Sequence, residues 1–211
     1  SIDFSVFYPY HTMQGTTPSQ LYFEEGRNAR PSFDVGVKQT VKLNNWSVTT
    51  GISFQRVNEL FSYNEYSFQN VTVQDENGNI RLVHLAIGEP IVYTQDNNLN
   101  YLVAPLKIAY SPLTLKDKLS IGIQGNFHYL LSSYYWAKFS LPNAAEEISE
   151  NFNPFFFSIT ANSSFNIKLS KKISAEIEPY YSVGLSPIID SNELSFSLNC
   201  LGVCTRFNLN Y

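Results

Sequence analysis

Two glutamates, Glu176 and Glu178, stand two residues apart. In an extended strand that spacing puts both carboxyls on one face, about 6.6 Å apart along the chain, a range in which paired carboxylates hydrolyse glycosidic bonds. Basic residues occupy equivalent positions. Asp3, Asp34, Glu176 and Glu178 make one set of four acids, and Lys38, Lys107, Lys168 and Arg206 a matching set of four bases, each on the polar side of an alternating stretch. Four charges of each sign in a narrow interior are expected to pair, because an unpaired buried charge is costly. The glutamates then belong to an ion network that plugs the interior and are not a general acid and base.

Other chemistry is sparse. The three histidines are His11, His84 and His128. His128 falls on a polar face beside Asn126, where a hydrogen-bonded role is expected, whereas His11 and His84 fall in loops without a partner at meaningful spacing. A His, Ser and carboxylate centre of the kind that modifies lipid A at the outer leaflet would have to draw on these, and no catalytic residue is assigned. Cys200 and Cys204 lie four apart in one strand. The strand rise separates their Cα atoms by about 13 Å, beyond the limit of about 7 Å for a disulfide, so they read as two small inward thiols. With no His or further Cys at ligand spacing, neither a metal nor a cofactor is expected.

The elements that position these groups are strands. In 155–185, Phe157, Ile159, Ala161, Phe165, Ile167 and Leu169 alternate with Ser158, Thr160, Asn162, Ser164, Asn166 and Lys168. After Ser170, Lys171 and Lys172 the alternation restarts, with Ile173, Ala175, Ile177, Pro179, Tyr181, Val183 and Leu185 on the apolar side. A period of two, repeated across a short polar turn, is an antiparallel hairpin with one apolar and one polar face. Each arm exceeds the five or six residues typical of soluble strands and suits a tilted membrane strand of about 9–11 residues. The polar face carries mostly Ser, Asn, Thr and Gly, side chains that fit the crowded lumen of a barrel of about eight strands. A soluble lipocalin-like barrel with the apolar face inward is the alternative.

Composition agrees. The 211 residues suffice for one domain spanning 1–211, 15% are charged and 15% aromatic, and mean hydropathy is slightly negative. No apolar run is long enough for a transmembrane helix, and a membrane barrel escapes such a search because its alternation averages out. A net charge of −4 leaves no basic stripe for nucleic acid. Ser1 is expected to lie near a processed terminus or a chain boundary, since alternation begins at once.

Along the chain, strand one holds Ile2, Phe4, Val6 and Tyr8 against Asp3, Ser5 and Phe7. A long loop is expected over 9–30. Phe33, Val35, Val37, Val41 and Leu43, an Asn44-Asn45 turn, then Trp46, Val48, Ile52 and Phe54 make the next hairpin. A forty-residue connection is expected over 58–100, with 71–73 and 80–85 as a small projecting hairpin about Asn77-Gly78. Strand four spans 101–110, where Pro105 predicts a bulge. Strand five begins at Leu119, a third long loop with an acidic segment (Glu146, Glu147, Glu150) covers 132–153, and a shorter loop covers 186–193 before the last strand. The expected fold is therefore all-β: an eight-stranded antiparallel up-and-down transmembrane barrel with short periplasmic turns and long extracellular loops. Tyr8, Trp46, Phe54, Tyr101, Tyr110, Tyr129, Tyr181 and Tyr211 are expected in aromatic girdles.

Residues 101–106 followed by 119–131, and the ending Leu201-Gly202-Val203-Cys204-Thr205-Arg206-Phe207, resemble the PorT-like outer-membrane β-barrel domain family of Bacteroidota. The family's early Gly-rich strand has no counterpart here. The resemblance implies an eight-stranded outer-membrane barrel without a shared activity, since the family spans secretion accessories, surface-complex subunits and the terminal barrels of envelope-spanning anti-sigma factors. The C-terminal pattern ending in Tyr211 also looks like the signal read by the barrel assembly machinery. Loop residues Phe61, Tyr63, Tyr66, Phe68, Tyr93, Tyr134, Tyr135 and Trp136 are of the types that protein interfaces use. The expected function is thus a non-enzymatic membrane anchor or accessory subunit, in contact with outer-membrane lipids, whose loops bind a lipoprotein or a larger barrel. A sensor barrel of an anti-sigma factor and a lipid A modifying enzyme are the other membrane readings.

Overall fold

The computed structural model describes residues 1–14, 27–74, 80–112, 118–139, 152–170, 172–190 and 195–209. Among them are ten strands and no helix: β1 (Ile2–Gln14), β2 (Arg27–Ala29), β3 (Ser32–Leu43), β4 (Trp46–Gln74), β5 (Ile80–Tyr110), β6 (Leu119–Phe139), β7 (Phe155–Lys168), β8 (Ile173–Gly184), β9 (Ile189–Asp190) and β10 (Ser195–Leu209). Eight of these pair in sequence order, all antiparallel, and β1 pairs with β10 from Ile2↔Phe207 onward, which closes the barrel. The short strands β2 and β9 add to β4 and β10.

The alternation is resolved with the apolar side outward. Ile159, Ile167 and Ile177 are 42%, 48% and 41% exposed on the outer surface. Ser158, Thr160, Asn162 and Ser164 on the same strand are buried inside. Trp46 packs on Tyr110 at the short-turn end (ring centroids 5.0 Å apart), and Tyr129 on Phe155 (5.1 Å) and Tyr10 on Tyr181 (6.1 Å) at the long-loop end. These pairs edge the apolar belt as a membrane barrel requires. Two turns have the chemistry their residues predict. Asn44 adopts φ 55°, which Asn tolerates better than other side-chain-bearing residues, and the Ser170 hydroxyl accepts the amides of Lys172 and Ile173 at 3.2 and 3.1 Å.

Several expected loops are strand instead. β4 and β5, 29 and 31 residues long, pair from Trp46↔Tyr110 to Gln74↔Ile80, so the expected connection over 58–100 is one hairpin continuous with the wall. Its tip at 75–79, with Asn77 and Gly78, lies outside the described residues. β6 continues to Phe139 along β5, β1 continues to Gln14 along β10, and the acidic segment at 146–150 lies outside the described residues. Pro105 causes no bulge. The β4–β5 register is the same on both sides of it, and the β5–β6 register shifts farther along, between Asn100 and Tyr101, where Leu131 is the extra residue. That bulge falls where β6 loses β7, whose last pair with it is Tyr129↔Phe155, the point at which β5 and β6 leave the barrel wall.

Candidate functional site

Register brings the lumen charges together. Asp3 lies opposite Arg206, and Arg206 opposite Glu176 on its other side. Arg206 Nε donates to both Asp3 oxygens at 3.0 and 3.2 Å, and Nη1 reaches Glu176 at 3.2 Å and Glu178 at 3.5 Å. Lys38 Nζ meets the other side of Asp3 at 2.8 Å. Lys107 crosses the lumen from β5 to Glu178 on β8 at 2.6 Å, and Ser164 accepts from Lys107 while donating to Glu178. Gly122 on the intervening strand β6 leaves this path open, since a Cβ there would stand 3.0 Å from Lys107 Cε. Six of the eight expected residues, Asp3, Lys38, Lys107, Glu176, Glu178 and Arg206, therefore form one paired network. Below it the barrel opens at the short-turn end into a vestibule of about 450 Å3, lined by Lys107, Glu176 and Arg206 among others.

Two of the eight depart from expectation. Lys168 is exposed at the end of β7, opposite Ser174 beside the Ser170 turn; it has the inward parity but sits beyond the closed interior. Asp34 is buried one pleat above the network and receives its hydrogen bond from the Ser53 hydroxyl at 2.6 Å, with no ion pair among the described residues.

Above the charges lies a layer of hydroxyls and amides around a cavity of about 60 Å3. His128 Nε2 lies 2.9 Å from Ser158 Oγ and Nδ1 lies 3.1 Å from Gln55 Oε1, while Asn126 donates to Ser158 and Thr160. A Ser–His pair suggests nucleophilic chemistry, but the third partner is an amide, which supplies no negative charge to stabilise an imidazolium. Both His128 and Ser158 are buried inside the barrel. Glu176 and Glu178 are committed to Arg206 and Lys107, which leaves neither as a free acid or base. Cys200 and Cys204 are buried free thiols on the inner face, and no cluster of metal-ligating residues exists among the described residues.

The alternation does not predict the upper lumen. Phe7, Val57, Leu99, Tyr101, Phe156, Ile188, Leu198 and Cys200 fill it as an apolar plug. Tyr101, expected in a girdle, is fully buried here and meets Phe156 edge-on at 5.1 Å, and His128 stacks flat on Phe156 at 3.8 Å. The loop residue Ile188 caps the plug, held by its carbonyl to the Asn153 amide at 2.8 Å. The sequence signal was the consecutive aromatics Phe155, Phe156 and Phe157, where both faces of a strand are apolar.

The expected partner-binding aromatics stand on strands, not loops. Phe61, Tyr63 and Phe68 are on β4 opposite Gln95, Tyr93 and Ala86, and Tyr66 falls at the register shift between Glu65 and Ser67. Tyr134, Tyr135 and Trp136 are on β6 opposite Asn98, Asn97 and Asp96. The placement of these side chains lies outside the described residues, as does Tyr211.

No family model and no curated protein matches the sequence. Among solved structures, the chain is similar to Neisserial surface protein A (7% identity, covering 100% of this chain and 97% of that one, TM-score 0.39). It is also similar to the outer membrane protease OmpT from Escherichia coli (11%, 88% and 65%, 0.45) and to Ail, the attachment invasion locus protein of Yersinia pestis (10%, 97% and 96%, 0.35). Similarity this distant bears on no point of function or mechanism.

Proposed function

We propose that this chain is an integral outer-membrane barrel without a catalytic role, an anchor or accessory subunit that holds a strand extension at the cell surface for a partner protein, a lipoprotein or a larger barrel. One observation carries the reading: the barrel is apolar outside and charged inside, with Ile177 41% exposed next to Glu178 at 4%. Water on that outer face would leave a belt of Ile, Val, Leu and Phe unburied around the whole wall, whereas lipid covers it. The short turns then face the periplasm and the β4–β5–β6 extension faces outward. A lumen committed to ion pairs and an apolar plug supports anchoring over transport or catalysis. The PorT-like resemblance agrees with an outer-membrane barrel and carries no shared activity, and the C-terminal pattern ending in Tyr211 supports assembly by the barrel machinery.

Membrane fractionation and one substitution test this. The protein stays with membranes through a urea wash, and recovery in the soluble fraction without detergent would remove the proposal. Ile177→Arg places a charge on the belt and costs about 2–4 kcal/mol near the bilayer midplane, read from urea titration in lipid vesicles. In a soluble barrel this exposed position tolerates the change.

A further inference from the structure

Below the apolar plug, the described inner face carries four acidic side chains, Asp3, Asp34, Glu176 and Glu178, against three basic ones, Lys38, Lys107 and Arg206. Lys168, which would complete the set, is exposed beyond the closed interior. One negative charge is left over, and it falls on Asp34. Lys38, four residues along on the same face of β3, gives its ammonium to Asp3 at 2.8 Å. The hydrogen bond that Asp34 accepts from the Ser53 hydroxyl, 2.6 Å long, has the length of a hydroxyl donating to an ionised carboxylate. Gly36 permits it, since a Cβ there would collide with Ser53 Cβ. His128 supplies no counter-charge, because its ring nitrogens meet an amide oxygen of Gln55 and the hydroxyl of Ser158 and touch no carboxylate. An ionised carboxylate buried without a counter-charge is costly.

Asp34 lines the cavity of about 60 Å3 between the ion network and the plug. All eight strands of the wall contribute a described residue to this space, which therefore lies within the barrel itself; Lys38 and Glu178 stand on its network side, Phe156 and Leu198 on its plug side. Across from Asp34 the donors are spent on their neighbours. Gln124 donates to Asn126, Asn126 to Ser158 and Thr160, Thr160 to Ser182, and Ser182 to the carbonyl of Ile159. A hydroxyl that has given its hydrogen away and accepted one still has a lone pair. The cavity is thus rich in acceptors and holds one carboxylate in excess. A water takes about 10–15 Å3 of such space, so there is room for a small ion with about three waters.

We propose that this cavity binds one monovalent alkali cation, Na+ or K+, held by the Asp34 carboxylate and by hydroxyl and amide oxygens of the polar layer. Charge selects the class. A single positive charge neutralises what the three bases leave, whereas a divalent ion would overshoot and would find one carboxylate where such ions usually gather several. Oxygen ligands suit a hard cation, and the described residues hold no cluster of His, Cys and acids for a transition metal. Because ion pairs close the cavity on one side and the plug on the other, the ion is enclosed when the wall shuts. Its binding is then part of the folding equilibrium, as at other structural ion sites. The site depends on the lumen alone and is independent of the anchor role.

The test refolds the full chain into lipid vesicles in sodium, potassium or choline chloride at equal ionic strength, so that general screening is the same in all three. Sodium or potassium should raise the folding equilibrium constant about tenfold or more over choline, read from urea titration, and the stronger of the two names the ion. Asp34→Asn, which keeps an oxygen for Ser53, should fold equally well in all three salts. A second measurement needs no variant: crystals of the unaltered chain grown in a thallous salt, with Tl+ in place of the alkali ion, should show an anomalous peak in contact with the Asp34 carboxylate. Equal stability of the unaltered chain in the three salts, a salt preference that survives in Asp34→Asn, or an anomalous map without a peak at Asp34 would each overturn the proposal. So would a protonated-carboxyl infrared band that Asp34→Asn removes, which would make the occupant a proton, or His128 resonances of an imidazolium, which would supply the missing charge from within.

Discussion

The two halves of the lumen fill the same narrow cylinder by opposite means. Toward the short turns, Asp3, Lys38, Lys107, Glu176, Glu178 and Arg206 are closed into one network; toward the long loops, Phe7, Leu99, Tyr101, Phe156 and Leu198 pack as a core. The difference teaches how each half fails. A charged network depends on every member, since removal of one leaves others buried and uncompensated. An apolar plug loses only the removed volume and its contacts.

Arg206→Met should do the most damage, because it strips the counter-charge from Asp3, Glu176 and Glu178 together. A loss of about 3–5 kcal/mol is expected, measured by urea titration in lipid vesicles, and it should be nearly insensitive to salt because the group is buried. A loss below about 1 kcal/mol would mean that the lower lumen is solvated and the contrast between the halves is false. Phe156→Ala should cost about 3 kcal/mol and displace His128, whose ring it stacks against, visible as a shift of the His128 resonances. Ser164→Ala should cost about 1 kcal/mol, since Lys107 and Glu178 remain in direct contact. Combined with Lys107→Met it should be non-additive, whereas combined with Phe156→Ala it should add, as independent sites do.

Much of the barrel was legible because lipid imposes a contrast on alternate residues. Ile173 to Ile177 and Glu176 to Glu178 announce their faces, and Asn44 announces its turn. Depth was not legible: parity assigns Lys168 and Asp34 to the inner face but says nothing about height, so one proved exposed and the other bound to Ser53 in place of a base. The plug was hidden for a related reason. Where Phe155, Phe156 and Phe157 follow one another, both faces are apolar and the alternation that reveals a strand's sides disappears. The extension of β4 and β5 reads as a loop because its alternation comes in short runs, Phe61 to Asn64, Tyr66 to Gln69 and Val71 to Gln74, interrupted at Glu65 and Asn70. Its strands are set by pairing with each other, which a single sequence does not display.

The joint between the first and last strands carries one of the strongest polar links in the molecule, Asp3 to Arg206, across residues 203 apart in sequence. Asp3 sits on the first strand of the barrel and its guanidinium clasp on the last. Until those two strands meet, the hoop is open and the acids of β1 and β8 lack the Arg206 counterion. Closure and neutralisation thus become a single event, which ties commitment to the bilayer to completion of the barrel.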